Sequence, residues 1–202
     1  SRGLGDVYKR QDIIYAGKIS KSKGVFELCK TLPILEKKYP NIRLHIIGNP
    51  DEQSFHKMKK DSNYSPRLII CHALDQKKLA NLLRHSDIFV LPSYFEALGL
   101  IAIEALACNN LVVTSYIDGL YKLLGKDIIN SHVIEFTDLP RIYDVDKPVK
   151  EDIPDYVLRL SDNIEKQINR VDKSLFTKKL NAEIKSLAWS NIGNKILNII
   201  KN

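Results

Sequence analysis

With 202 residues, 44% of them hydrophobic, the chain is long enough to bury a substantial core as one domain with a helical appendix. Its formal net charge is +7, and removing the three bases and one acid of the first eleven residues leaves +5. That surplus is spread out: the densest basic cluster, Lys57 to Lys60, stands beside Asp61 without interleaved aromatics, which excludes a nucleic-acid-binding face and leaves a solvated one. A phosphate-rich substrate or a peripheral contact with an anionic membrane surface accounts for the remainder. No run of about 18 apolar residues is present, so nothing in the sequence reads as a membrane span. Cys29, Cys71 and Cys108 fall singly, without CxxC spacing or a histidine cluster, and read as small buried apolar residues of a reduced, cytoplasmic compartment.

Residues 1–11 show no periodicity that joins the segment after them, and read as a non-native or linker segment to be set aside. Ile13 to Ala16 is an apolar run ending at Gly17, and Ile42 to Ile47 ends likewise at Gly48, the pattern of buried parallel strands. Between them Val25, Leu28, Leu32, Leu35 and Tyr39 recur at helical spacing, completing a βαβ unit in which Pro33 must kink the helix or lie on its outer side. The alternation continues with a helix over 51–60, a strand over 68–71, a helix over 76–84 and a strand over 88–91. A helix then carries Leu98, Gly99 and Leu100 in its first turn, with strands following over 111–114 and 132–136. From Lys150 strand signals vanish, and two helices precede a last one running from Ser190 to Ile200. The fold class is therefore α/β, a doubly wound parallel Rossmann-like sheet over residues 12–148, with C-terminal helices over 149–202 packing on it. Gly17, Cys71, Pro92 and Ser115 all follow strands, so their loops should meet at one rim, where such sheets bind ligands.

Two clusters on that rim carry chemistry. Glu96 precedes a helix and Glu104 lies within it, seven residues between them, on an otherwise apolar segment. A carboxylate buried there needs hydrogen-bonding partners, and a ligand rich in hydroxyls would supply them. The second cluster is Gly17-Lys18 followed by a polar loop and Lys23-Gly24, in which two ammonium groups can converge on an anion near a close backbone approach. The amides opening the Glu104 helix suit a phosphate as well.

Taken together and in this order, the run from Asp12 to Gly24 and the Pro92 to Leu106 segment resemble the donor site of the retaining glycosyltransferases of GT-B fold, group-4-like, and specifically their C-terminal half. The resemblance implies a nucleoside diphosphate sugar as substrate. Lys18, Lys23 and Glu96 would be the catalytic residues, with Gly17, Leu98, Gly99, Leu100, Glu104 and His72 binding the donor. It implies transfer of a hexose-type sugar with retention to a carbohydrate or lipid-linked acceptor, in cell-surface polysaccharide or glycolipid synthesis. The enzyme would work without metal or other cofactor, in the cytoplasm or at the inner membrane face. It implies also an N-terminal domain of the same protein holding the acceptor, without which this chain is incomplete and inactive.

Departures from the family pattern are Lys18 where Arg is usual, Asp118 where Gly is common, and Asn109-Asn110-Leu111 in place of Gly-x-Pro. They keep open an alternative reading as a non-catalytic nucleotide-sugar-binding or assembly module. Asp144 and Asp146 suggest a metal pair, but their polar surroundings place them in a surface connection. The absence of a GxGxxG fingerprint argues against an oxidoreductase.

Overall fold

The computed structural model describes residues 11–171 and 173–187. Strands β1 (Gln11–Ala16), β2 (Ile42–Ile47) and β3 (Leu68–Cys71) alternate with helices α1 (Val25–Leu35) and α2 (Glu52–Asp61). Helix α3 (Gln76–Arg84) leads to β4 (Ile88–Leu91), α4 (Leu100–Ala107) and β5 (Leu111–Ser115), and the short helices α5 (Asp118–Leu123) and α6 (Lys126–Asn130) precede β6 (Ile134–Thr137). These six strands form one parallel sheet in the order β3-β2-β1-β4-β5-β6. The expected doubly wound sheet is present. Its order reverses between β1 and β4, and a crevice opens at such a switch point beyond the carboxyl ends of the two strands. The loops bearing Lys18, Lys23 and Glu96 leave β1 and β4 there.

The central strands are apolar because both their faces are covered: all four residues of β4 and all five of β5 are buried. Helix α7 (Ile153–Arg170) lies across β4, β5 and β6 and against α1, while α4 covers β4 and β5 with α3 and α8 (Lys178–Ser186) at its flanks. Asp51 and Asp75 cap α2 and α3 by accepting the amides of Ser54 and Lys78.

Several boundaries depart from the sequence reading. Gln11 belongs to β1, pairing with Ile42, so the strand begins inside the segment that was set aside. Helix α1 stops at Leu35, short of Tyr39, two residues after the half-buried Pro33, whose ring cannot donate to the turn before it. Strand β6 starts after His132, because that residue takes a left-handed φ of 59° that no strand accommodates. Val145 and Asp146 form the turn of a small hairpin between β7 (Ile142–Asp144) and β8 (Lys147–Pro148), with Asp144 paired to Lys147. The helix expected from Ser190 to Ile200 lies outside the described residues. Asn109 does take the left-handed φ, at 61°, where the family pattern has glycine.

Candidate active site

The 17–24 loop and the 92–99 loop are stitched into one unit. The amide of Tyr94 donates to the carbonyl of Ser22 at 2.9 Å, and the Lys23 Nζ donates to Glu96 Oε1 at 2.6 Å. Gly24 lies so close to Pro92 that a Cβ at that position would overlap the Pro92 carbonyl oxygen, and its φ of 63° is left-handed as well. Only glycine meets both demands. Behind the loops, the fully buried Tyr156 of α7 donates its hydroxyl to the same Pro92 carbonyl at 3.0 Å and shares a 2.8 Å hydrogen bond with Ser115. Burial raises the Tyr156 phenol well above its ordinary value, so it stays a donor. The C-terminal helices thus set the position of the Glu96 loop.

Glu96 is half-buried, and its Oε1 accepts a second hydrogen bond, from the fully buried Ser93 Oγ at 3.0 Å. Its Oε2 has no partner among the described residues. The buried Tyr15 donates to the Lys18 carbonyl at 2.6 Å, holding the backbone of that loop under Glu96. Burial first, and the nearby Glu96 carboxylate second, raise the Tyr15 phenol. Lys18 itself is exposed, and its ammonium has no partner among the described residues.

Three placements differ from expectation. Helix α4 begins at Leu100 with Gly99 as its cap in a left-handed φ of 59°, so Leu98 precedes the helix and the free amides belong to Leu100 and Ile101. Leu98 is exposed, and the Ala97 carbonyl before it rests on Gly119, where a side chain would collide with it. Glu104 is exposed rather than buried: α4 turns Ala102, Ile103, Ala105 and Leu106 inward, leaving Glu104 on the outer face with Ala107. Apolar neighbours in sequence are therefore not neighbours in space. The Gly17 amide is already given to Ile47 O at 3.0 Å, so Gly17 offers an absent side chain and no free donor.

The structure brings Lys23 and Glu96 into contact, with Lys18 and Gly99 on the loops that flank them at the β1/β4 crevice, Leu100 opening α4 and Glu104 one turn along it. His72 stands apart: it is exposed beyond β3, with β2 between β3 and β1. Asp118 opens α5 without a positive φ, so the departure from glycine there carries no strain. Sequence reading missed Ser93, Tyr15 and Tyr156, because nothing local marks a serine or tyrosine that acts across the sheet; Gly119, by contrast, follows Asp118 in the turn where the family pattern is glycine-rich.

Residues 4–138 match the model of the family described as glycosyl transferases group 1. Among curated proteins the chain is 34% identical over 121 residues to a glycogen synthase of Mycobacterium tuberculosis, covering 59% of this chain and 28% of that one. It is 31% identical over 117 residues to a D-inositol 3-phosphate glycosyltransferase of Pseudarthrobacter chlorophenolicus, covering 55% and 28%. Among solved structures it resembles the C-terminal domain of a group 1 family glycosyl transferase from Francisella tularensis, with a TM-score of 0.61 at 21% identity over 89% of this chain and 84% of that one. That likeness is one of fold. The chain spans 28% of the length of each of the two curated relatives.

Proposed function

Since the chain belongs to the group 1 glycosyl transferases, we propose that it is the donor-binding half of a retaining enzyme that moves a hexose-type sugar from a nucleoside diphosphate to a carbohydrate or lipid-linked acceptor. The bond from the anomeric carbon to the diphosphate oxygen breaks, its electron pair leaving with the diphosphate. The acceptor oxygen forms the new bond to the anomeric carbon, on the same face, and its proton passes to the departing phosphate oxygen. Negative charge growing on the leaving group is the barrier, and Lys18, Lys23 and the amides of Leu100 and Ile101 meet that charge. Glu96 orients the sugar hydroxyls, Glu104 accepts from the ribose diol, and each such charged hydrogen bond is worth about 1.5–3 kcal/mol. His72, on the loop after β3 and away from the contact of Lys23 with Glu96, is the candidate to border the nucleobase at the far end of the donor. No metal is assigned a role.

What supports this reading most is the contact of Lys23 with Glu96 at the β1/β4 switch point, facing the start of α4. The acceptor is held by an N-terminal domain of the same protein, so the 202-residue chain binds donor without turnover. The whole enzyme serves cell-surface polysaccharide or glycolipid synthesis, in the cytoplasm or at the inner membrane face. No helix among the described residues is long and apolar enough to cross a membrane.

Thermal shift of the chain with UDP, GDP and ADP tests the reading. One of the three should raise the melting temperature in proportion to the logarithm of its concentration. Folded protein that responds to none would sink it.

A further inference from the structure

Lys23 and Glu96 satisfy each other, although a nucleotide sugar would draw them to different groups. We propose that they are exchangeable partners: Glu96 turns to the sugar when the donor is whole, and turns back to Lys23 once the sugar has gone, so that it competes with the diphosphate product and speeds its release. The inference rests on the site being a nucleotide-sugar site.

The geometry suits an exchange. The pair is short, at 2.6 Å, yet its side chains keep 28% and 22% of their exposure, so parting them strands no buried charge. Ser93, itself fully buried, holds Glu96 Oε1 from behind at 3.0 Å and provides a fixed pivot. Oε2 remains open to a sugar hydroxyl. A bare diphosphate that takes Lys23 leaves the Glu96 carboxylate without its cation and beside a second anion. A whole donor brings hydroxyls that compensate Glu96 as it brings phosphates that compensate Lys23. The site therefore favours the diphosphate with its sugar over the diphosphate without it.

Calorimetry on the full chain tests this, with UDP, GDP and ADP against UDP-glucose, GDP-mannose and ADP-glucose, for the wild type, Glu96→Gln, Lys23→Met and the double variant. For the nucleotide that binds, Glu96→Gln should tighten the free diphosphate about threefold and weaken the sugar nucleotide about tenfold. In the Lys23→Met background Glu96→Gln should tighten the diphosphate less, because the competing pair is already gone and only the repulsion between the carboxylate and the diphosphate remains to be relieved. Diphosphate affinity that is unaltered or reduced by Glu96→Gln overturns the exchange. So does equal tightening in both backgrounds, which would mean simple repulsion. If Glu96→Gln does not fold, Glu96→Ala, which likewise removes the carboxylate charge, is read in the same way. Binding of none of the six nucleotides would instead sink the proposed function itself.

Discussion

The sheet carries an ionic cluster at each end, and the two are built oppositely. At the amino edge Asp12 takes the Arg43 guanidinium through Nε and Nη2, both at 2.6 Å, and His45 Nε2 lies 3.1 Å from its Oδ1. The Asp12 amide is meanwhile held by Asp87 at 3.1 Å. At the carboxyl rim Glu96 spends one oxygen on Lys23 and Ser93, while its other oxygen, the Lys18 ammonium and Glu104 have no partner among the described residues. A cluster whose hydrogen-bonding capacity is used up internally contributes to stability. One that leaves capacity open at a switch-point crevice stands where the proposed donor would bind.

The sharpest way to break the comparison is to separate the two rim loops. Gly24→Ala places a methyl group against the Pro92 carbonyl and forces a left-handed φ on a residue with a Cβ. A loss of about 3 kcal/mol or more is expected in urea denaturation, and donor binding should vanish with it. Next in size is the amino edge. Asp12→Asn leaves Arg43 without its carboxylate, and because the pair is partly exposed the loss should be about 2 kcal/mol, below that of a fully buried pair. Donor affinity should not change. Burial would raise the Asp12 carboxyl, but the hydrogen bonds and charges of His45 and Arg43 outweigh it and hold it well below its ordinary value. A folded value below the unfolded one gives stability that is full above the ordinary aspartate range and is lost as pH falls from there through the depressed folded value. The gap between wild type and Asp12→Asn should therefore begin to narrow below about pH 5 and still be narrowing at about pH 2. A gap that persisted in acid would show that the cluster acts by packing.

How legible each cluster was in the sequence follows from how local its logic is. Strand runs ending at Gly17 and Gly48 depend on neighbours in sequence, and the sheet could be read from such signals. Lys23 and Glu96 were legible as members of two spaced motifs, though 73 positions separate them. Glu104 was misread as buried because composition reports that a helix is apolar without reporting which of its sides meets the sheet. Ser93 and Tyr156 were invisible because their value lies in a single oxygen placed by a distant element, Tyr156 reaching Pro92 across 64 positions. Asp12 with Arg43 was equally hidden, since the pairing needs the β1/β2 register.

Tyr156→Phe joins the two halves of that lesson. It keeps the ring in the core and removes only the hydroxyl that ties α7 to Pro92 and Ser115. Two buried oxygens lose a partner, so a loss of about 1–2 kcal/mol is expected in urea denaturation. A several-fold weakening of nucleotide binding should accompany it in calorimetry, because the Glu96 loop loses its rear support. Stability loss without any change in binding would mean that the loop is held by Gly24 and Tyr94 alone.

The smallest effect on folding should come from the rim residues to which the proposed function assigns donor contacts. Lys18→Ala and Glu104→Gln remove exposed groups with no partner among the described residues, so each should change unfolding free energy by less than about 0.5 kcal/mol. If the open capacity serves a nucleotide sugar, each should nevertheless weaken that ligand about tenfold or more, the cost of one hydrogen bond to a charged group. Lys18→Arg should retain most of the affinity, since the charge remains and the planar fork suits a phosphate. The amino edge supplies the contrast: Asp12→Asn is expected to cost stability and spare binding. Should Lys18→Ala and Glu104→Gln leave both stability and nucleotide affinity untouched, unspent hydrogen-bonding capacity at this rim would be ordinary surface, and the distinction drawn between the two ends of the sheet would fail.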